Sequence, residues 1–299
     1  MLRKHFNFPE IHFRSVVTAA IILTSLVITD RPAKSAVLAL SDDNSIAAFD
    51  PDFSNIPSNN GLLFWTVDDV NQLFQNQFWY RIGSEGRENS ISTLNLIDLD
   101  QAQPADNQFS VTYAGIDFHI ALNLRLDGGA QGSGISSLFE NITIKNTGSN
   151  QLDFHFFNYT DFDLTENGEQ DTTKIASSIA TQLDNFTFAT EVINPVANYY
   201  QVSPFPNILD ALEDDVTTTL ANFSEPLTGD NAYAFQWDLV LEPEQSFSIN
   251  NYKSIAPVKS VPEPTMTLGF ITFSGLMLIR DKLRKLRCIA KTRAGLVGK

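Results

Sequence analysis

The chain has 299 residues, of which 20 are Lys or Arg and 35 are Asp or Glu, and its formal net charge is −15 at pH 7. This negative charge disfavours nucleic acid and anionic lipid as partners, because their phosphate groups carry the same sign. The single cysteine excludes an intramolecular disulfide.

The first 36 residues have the pattern of a secretory signal peptide. Arg3, Lys4 and Arg14 supply basic charge, residues 15–28 form an apolar stretch, and small residues precede the predicted cleavage site at Ala36. We therefore predict an N-terminal signal helix over residues 1–36 that uses the Sec translocon and is removed after Ala36. The alternative is an N-terminal membrane anchor that the protein keeps.

The region that follows the signal peptide is strongly acidic. Residues 37–260 contain 7 Lys or Arg and 31 Asp or Glu, a net charge of −24, and no cysteine. A region without thiols suits an oxidising compartment and cannot supply a Cys nucleophile or a Cys metal ligand. The charge favours solubility, divalent cations, or a matrix of polysaccharide and cations.

Alternation of apolar and polar residues is the main structural signal in this region and is typical of half-buried strands. The clearest run lies at residues 116–126, where one face carries Ile116, Phe118, Ile120, Leu122, Leu124 and Leu126. Residues 146–150 read as a hairpin connection to the next alternating run, and residues 242–245 read as a second hairpin. Residues 68–83 suit either a helix or a strand.

One helix is predicted from the spacing of apolar residues between Ile208 and Leu220, with Asn207 as its N-cap. The pattern as a whole predicts an all-β fold, an antiparallel β-sandwich with minor helical insertions. We place this domain at residues 37–255 and a short linker at residues 256–260.

An acidic segment could hold a hard cation. Calcium prefers six to eight oxygen ligands, which loops often supply from alternating positions. The candidate ligands are Asp161, Asp163, Thr165, Asn167 and Asp171. Lys174 stands where such a loop usually ends in Glu, which departs from the EF-hand pattern. The alternative is a solvated acidic loop, and no other cofactor is predicted.

No catalytic motif is evident, and no catalytic residue is predicted. The acidic region has two histidines, His119 and His155, in alternating segments without a neighbouring partner in sequence. Chance pairs of its many carboxylates could serve glycoside hydrolysis. Several aromatic residues could form a sugar-stacking platform or belong to the core: Trp65, Phe78, Trp79, Tyr80, Tyr199, Tyr200 and Trp237.

The C-terminal 39 residues contrast with the acidic region. Val261, Pro262, Glu263 and Pro264 precede an apolar run of 15 residues at 265–279, which is shorter than the roughly 20 residues of an untilted membrane-spanning helix. We predict a hydrophobic helix that contacts the membrane, with residues 288–299 kept in the cytoplasm by the positive-inside bias. The alternative is a buried C-terminal helix. The basic cluster consists of Arg280, Lys282, Arg284, Lys285 and Arg287.

A Pro-Glu-Pro triplet, a hydrophobic segment and a basic cluster in this order resemble the PEP-CTERM sorting signal of Gram-negative bacteria, here at residues 261–287. The resemblance implies export, transient anchoring in the inner membrane and removal of the tail by an exosortase. Residues 69–83 and 234–239 are also similar to uncharacterised PEP-CTERM proteins.

These observations predict an exported, non-enzymatic protein of the cell envelope or extracellular matrix. Its expected final location is the cell surface, the outer envelope or the medium, where extracellular polysaccharide is a candidate partner. The alternatives are a carbohydrate-binding module and a glycan-acting hydrolase or lyase.

Overall fold

A computed structural model describes residues 37–51, 61–101, 106–166 and 170–258. The predicted signal peptide with Ala36, the sorting motif at 261–264, the basic cluster at 280–287 and the tail at 288–299 lie outside the described residues.

The described residues form mainly antiparallel strands. In chain order the strands are β1 (Leu38–Asp42), β2 (Ser45–Asp50), β3 (Gly61–Val67), β4 (Val70–Asn71), β5 (Leu73–Ile82), β6 (Asn89–Ser90), β7 (Asn95–Asp100), β8 (Gln108–Ala114), β9 (Phe118–Gly128), β10 (Ser136–Asn146), β11 (Leu152–Phe162), β12 (Thr172–Ala176), β13 (Ile179–Leu183), β14 (Thr187–Asn194), β15 (Tyr199–Pro204), β16 (Leu227–Thr228), β17 (Asn231–Leu241) and β18 (Ser246–Pro257). The helical elements are α1 (Asn207–Glu213) and two 3-10 turns, Ile91–Thr93 and Leu164–Glu166.

The strands build two sheets. The first sheet has the order β1-β2-β3-β5-β11-β17-β15, with β4 beside β3 and β6 beside β5. The second sheet has the order β16-β12-β13-β14-β18-β10-β9-β8-β7. The prediction of an all-β, antiparallel sandwich with minor helical insertions is confirmed.

The main core lies between the two sheets, and strict alternation builds it. In β9 the side chains of Ile120, Leu122, Leu124 and Leu126 are buried, whereas the intervening residues face outward. They belong to the same cluster as Phe154, Phe156 and Trp237 of the first sheet. Burial of each large apolar side chain contributes about 1.5–3 kcal/mol. The predicted strand begins later than expected, because Ile116 is 89% exposed in the turn before β9.

Both predicted hairpins are wrong in their pairing. Residues 146–150 connect β10 of the second sheet to β11 of the first, and residues 242–245 connect β17 of the first sheet to β18 of the second. The Asn146 side-chain amide donates to the carbonyl oxygens of Asn150 and Leu241, at 2.8 and 2.9 Å, which holds both corners together. Alternation determines which face of a strand is buried, but it does not determine which strand lies beside it.

The predicted helix is real but short. It ends at Glu213, its N-cap is Pro206 and not Asn207, and Val216 is 66% exposed beyond its end. The threonines at 217–219 are β-branched and disfavour helix. The Thr218 backbone amide donates to Glu88 at 3.0 Å, which supports an extended path.

Two further segments take definite structure. Residues 73–82 of the ambiguous segment form strand β5. At the other end of the domain, β18 continues through Ala256 to Pro257, whose partner in the register is Thr187 of β14.

Over the part of the chain that the structure describes, no helix has the length and apolarity that crossing a membrane requires.

Candidate functional site

A groove of about 670 Å³ lies on the outer face of the second sheet. Residues of six neighbouring strands line it, namely β7, β8, β9, β10, β18 and β14. The strands form its floor because their alternate side chains point away from the core. The groove is therefore a direct product of the alternation that builds the sandwich.

The register aligns polar side chains into a row that crosses the strands. We call it the amide row: Asp100, Ser110, Asn123, Asn141, Asn250 and Asn194, each paired with the next. The Asn141 side-chain amide donates to the Asn250 side-chain oxygen at 2.9 Å. Four successive strands thus present the same amide group to the groove.

A second row lies two residues along the strands. We call it the stacked row: Gln108, Arg125, Phe139, Tyr252 and Val192. The Arg125 guanidinium carbon lies 4.4 Å from the centre of the Phe139 ring, and the Phe139 and Tyr252 ring centres are 4.8 Å apart. The Tyr252 hydroxyl contacts the Ser137 hydroxyl at 2.9 Å. These contacts hold the aromatic side chains in place at the surface.

The charges at the groove are few and partly paired. Arg125 donates to Asp127 at 2.8 Å, so its positive charge is balanced within the same strand. Asp100 supplies a carboxylate at one end of the amide row. Glu140 also borders the groove, but its side chain is buried on the opposite side of the strand.

This arrangement suits a ligand with many hydroxyl groups. Amide side chains both donate and accept hydrogen bonds, as hydroxyl groups do. Aromatic faces pack against the carbon-bound hydrogens of a ring, and a few placed polar groups around an apolar surface are typical of ligand sites. The sequence does not reveal either row, because each residue occupies an ordinary solvent-facing position in its own strand and only the register brings these residues together.

A buried polar cluster lies beneath the groove, between the two sheets. Glu191 of β14 accepts hydrogen bonds from the Asn158, Thr160 and Tyr233 side chains of the first sheet, at 2.6, 2.9 and 2.6 Å. Lys253 of β18 is fully buried and lies 3.4 Å from Glu191. The cluster therefore connects the two sheets through hydrogen bonds and charge.

The same cluster contains a second carboxylate. Lys253 donates to Glu140 at 2.5 Å, and the Asn251 amide donates to both Glu140 and Glu191 at 2.7 Å. Burial raises the pKa of the Glu140 carboxyl, and the Lys253 charge opposes that shift. Burial raises the pKa of the Tyr233 hydroxyl well above its usual range, and Glu191 adds to the effect.

The predicted calcium ligands have other partners in the structure. Asp171 accepts from the Leu164 backbone amide and the Gln182 side chain, Thr165 donates to Asp184 at 2.6 Å, and Asp161 accepts from Tyr159 at 3.2 Å. Burial raises the pKa of the Asp161 carboxyl well above its usual range, and the charge of Asp230 raises it further. Asn167 lies outside the described residues. Within the described ranges, no group of three or more His, Cys, Asp or Glu could hold a metal ion.

The aromatic residues considered for sugar stacking lie largely inside the protein. Trp65, Phe78, Trp79 and Trp237 are buried, so they do not form a surface platform. The Trp65 indole donates to Ser136 and the Trp237 indole donates to the Pro195 carbonyl, which satisfies their N–H groups in the core. The stacking residues that the surface does present, Phe139 and Tyr252, were not predicted.

The two histidines of the acidic region lie on different sheets. His119 lies on the groove face of β9, four residues or about 13 Å from Asn123. His155 of β11 contacts Asp238 of β17 at 2.6 Å through strand pairing. Asp153, two residues away in the same strand, lies 3.6 Å from its other ring nitrogen, so the expectation of no carboxylate nearby in sequence is wrong. His155 belongs to the first sheet and so does not contribute to the groove.

No family model and no curated protein matches the chain. Among solved structures, Slr1438 from Synechocystis sp. PCC 6803 matches 78% of this chain and 100% of its own, with a TM-score of 0.52 and 11% identity. An aldose epimerase homologue from C. elegans matches 75% of this chain and 99% of its own, with a TM-score of 0.48 and 7% identity. A bacterial glucoamylase complexed with acarbose matches 73% of this chain at 7% identity and a TM-score of 0.49, and the chain spans only 31% of that enzyme.

These matches correct the functional part of the sequence analysis. The likeness itself shows a shared fold, but the matched proteins include carbohydrate-acting enzymes and a galactose mutarotase related enzyme from Lactobacillus acidophilus. That finding contradicts the prediction of a non-enzymatic protein of the cell envelope or extracellular matrix. At a TM-score of 0.52 and 11% identity, the match to Slr1438 shows a shared fold and no role. The helix predicted at 265–279 lies outside the described residues.

Proposed function

We propose that this protein acts on carbohydrate and binds a neutral sugar in the groove of the second sheet. The observation that carries the proposal is the amide row beside the stacked row on six neighbouring strands. The amide groups match the hydroxyls of a sugar, and the rings of Phe139 and Tyr252 match its apolar face.

The charge of the protein favours a neutral ligand over an anionic one. Residues 37–260 carry a net charge of −24, which repels polyanions. Arg125, a cation in the groove, is already paired with Asp127. A uronate or sulfated chain would therefore meet repulsion without a free cation in the groove lining to offset it.

The groove is not arranged for hydrolysis by two carboxylates. The two acidic residues that line the groove are Asp100 and Glu140, which lie three strands and one residue apart, so their Cα atoms are roughly 15 Å apart. The Glu140 side chain is moreover buried beneath the sheet. Glycosidases place their paired carboxyl groups about 5–9.5 Å apart. The geometry supports sugar binding best. The products formed from a bound sugar would identify the class of reaction.

Asn141→Ala and Phe139→Ala are each expected to weaken sugar binding at least tenfold, about 1.4 kcal/mol or more, because each removes a central group of one row. The measurement is isothermal titration with neutral oligosaccharides of glucose, galactose and mannose. Proton NMR of the same mixtures detects new reducing ends or exchange of anomers.

Asn95→Ala is the matched control, since Asn95 is an exposed asparagine of β7 that does not line the groove. It should bind as the unchanged protein does. A folded protein that binds none of these sugars, or equal affinity of Asn141→Ala and Asn95→Ala, would refute the proposal.

We further propose that the protein is exported with the help of the Sec translocon and processed at its C-terminus by an exosortase. Two sequence features support this proposal. One is the signal pattern at residues 1–36, and the other is the succession of Pro262, Glu263 and Pro264, an apolar run and a basic cluster. Calcium binding by Asp161, Asp163, Thr165, Asn167 and Asp171 stays a prediction.

Replacing Pro262 and Pro264 with Ala is expected to leave the C-terminal peptide attached, because the extended stretch that an enzyme would read is lost. Mass spectrometry of the tagged protein from cells with and without exosortase measures this. Lys299→Ala, at the end of the tail, should be processed normally. Retention of the intact peptide by the unchanged protein in cells that contain exosortase, or its normal removal from the Pro262/Pro264 variant, would contradict the proposal.

A further inference from the structure

The stacked row continues beyond the groove as an apolar strip. Val192 of β14 pairs with Ile179 of β13, and Ile179 pairs with Ala176 of β12. Tyr252, Val192 and Ile179 are each between 36% and 41% exposed. Both rows therefore run across the strands of the sheet, and each extends over several neighbouring strands.

We propose that the groove takes a linear, neutral oligosaccharide or polysaccharide that lies across the strands, with several consecutive sugar units bound at once. Sugar hydroxyls face the amide row, and sugar rings lie over Phe139, Tyr252 and the apolar strip of Val192 and Ile179. This inference rests on the proposed function and specifies its substrate class.

The length of the amide row supports a chain over a single sugar. Neighbouring strands lie about 4.8 Å apart, so the five intervals between Asp100 on β7 and Asn194 on β14 span roughly 24 Å. One sugar ring would reach only a small part of that row. A chain of sugars would use most of it.

The repetition of one chemical group supports the same conclusion. Asn123, Asn141, Asn250 and Asn194 occupy the same row on four successive strands. A repeating ligand presents the same hydroxyl pattern at each unit and so meets the same amide group repeatedly. A small ligand is normally bound by a few different polar groups in a site that buries most of its surface. An open sheet face does not enclose a ligand in this way.

The test is a titration series by chain length. Cello-, malto- and manno-oligosaccharides of one to six units are titrated into the full protein by calorimetry. Affinity for the series that binds is expected to rise at least tenfold between one and four units and then to level off. Asn194→Ala and Asn123→Ala, at opposite parts of the row, should each lower affinity for the hexasaccharide at least threefold.

The double variant Asn123→Ala/Asn194→Ala should lose most of the length dependence, whereas Asn95→Ala should keep it. Equal affinity for the monosaccharide and the hexasaccharide would overturn the extended-chain inference and leave the proposed function standing. Absence of binding to every sugar by the folded, unchanged protein would overturn both. The length series on the unchanged protein decides the question even where a variant does not fold.

Discussion

Lys253→Met is expected to destabilise the protein by about 3–5 kcal/mol, because it leaves two buried carboxylates without their cation. Lys253 is fully buried and contacts Glu140 at 2.5 Å and Glu191 at 3.4 Å. Methionine has a similar size, so the loss reports charge and not volume. The measurement is the free energy of unfolding from urea denaturation at pH 7.

Lys145→Met is the matched control for this variant. Lys145 pairs with Glu244 at 2.6 Å, but the two side chains are 40% and 69% exposed, and ion pairs at the surface contribute only about 0–1 kcal/mol. The triple variant Lys253→Met/Glu140→Gln/Glu191→Gln should recover much of the lost stability, since it removes the uncompensated charges as well. Equal losses for Lys253→Met and Lys145→Met would show that the buried cluster is not an ionic one.

The sandwich could be predicted because alternation reports burial directly. The alternate apolar residues from Phe118 to Leu126 and from Tyr233 to Leu241 are buried, as their spacing in the sequence indicates. The neighbour of each strand could not be predicted, because an alternating strand fits beside any other with a compatible face. The corner at Asn146 shows this, since its turn-forming sequence joins two sheets and not two paired strands.

The buried cluster is visible in the sequence as charged residues at positions that the alternation predicts to be buried. Glu140 lies between Leu138 and Ile142 in the buried phase of β10, and Lys253 lies in the buried phase of β18, opposite Leu138. A charged residue in a buried position needs a partner, so such residues in separate strands point to an internal ion cluster. Their pairing still depends on the register of β10 with β18.

The groove was harder to predict than the cluster. Asn123, Asn141, Asn250 and Asn194 each occupy the solvent phase of a strand, where asparagine is common and carries no signal. Their meaning depends on alignment across four strands that are far apart in sequence. The tryptophans were considered for a sugar-stacking surface, but they are buried, because the size of their side chains favours the core.

The stability that depends on Asp171 is expected to fall as the pH rises from about 4 to about 6. Burial raises the pKa of Asp171 to about 6; the Gln182 side chain and the Leu164 backbone amide oppose the shift, and the charges of Asp184 and Asp163 add to it. The unfolded carboxyl has a pKa of about 3.9. Between these values the folded state binds more protons than the unfolded state, so raising the pH favours unfolding. The difference between a pKa of about 6 in the folded protein and about 3.9 in the unfolded chain corresponds to about 3 kcal/mol at most.

Asp171→Asn isolates this effect, because the amide keeps the shape of the carboxyl and does not titrate. The difference in unfolding free energy between Asp171→Asn and the unchanged protein, measured in urea from pH 4 to pH 7, should grow in favour of the variant across this range. Asp68 provides a control of opposite sign, since hydrogen bonds from the Gly132 and Gly134 backbone amides lower the pKa of its carboxyl. The stability that Asp68 contributes is lost as the pH falls below about 4, the pKa of the unfolded carboxyl. Asp68→Asn should therefore lose stability relative to the unchanged protein as the pH rises toward about 4, and the difference should stay flat from pH 4 to pH 7. A difference for Asp171→Asn that stays flat would mean that the Asp171 carboxyl titrates alike in the folded and unfolded states, despite its burial beside Gln182.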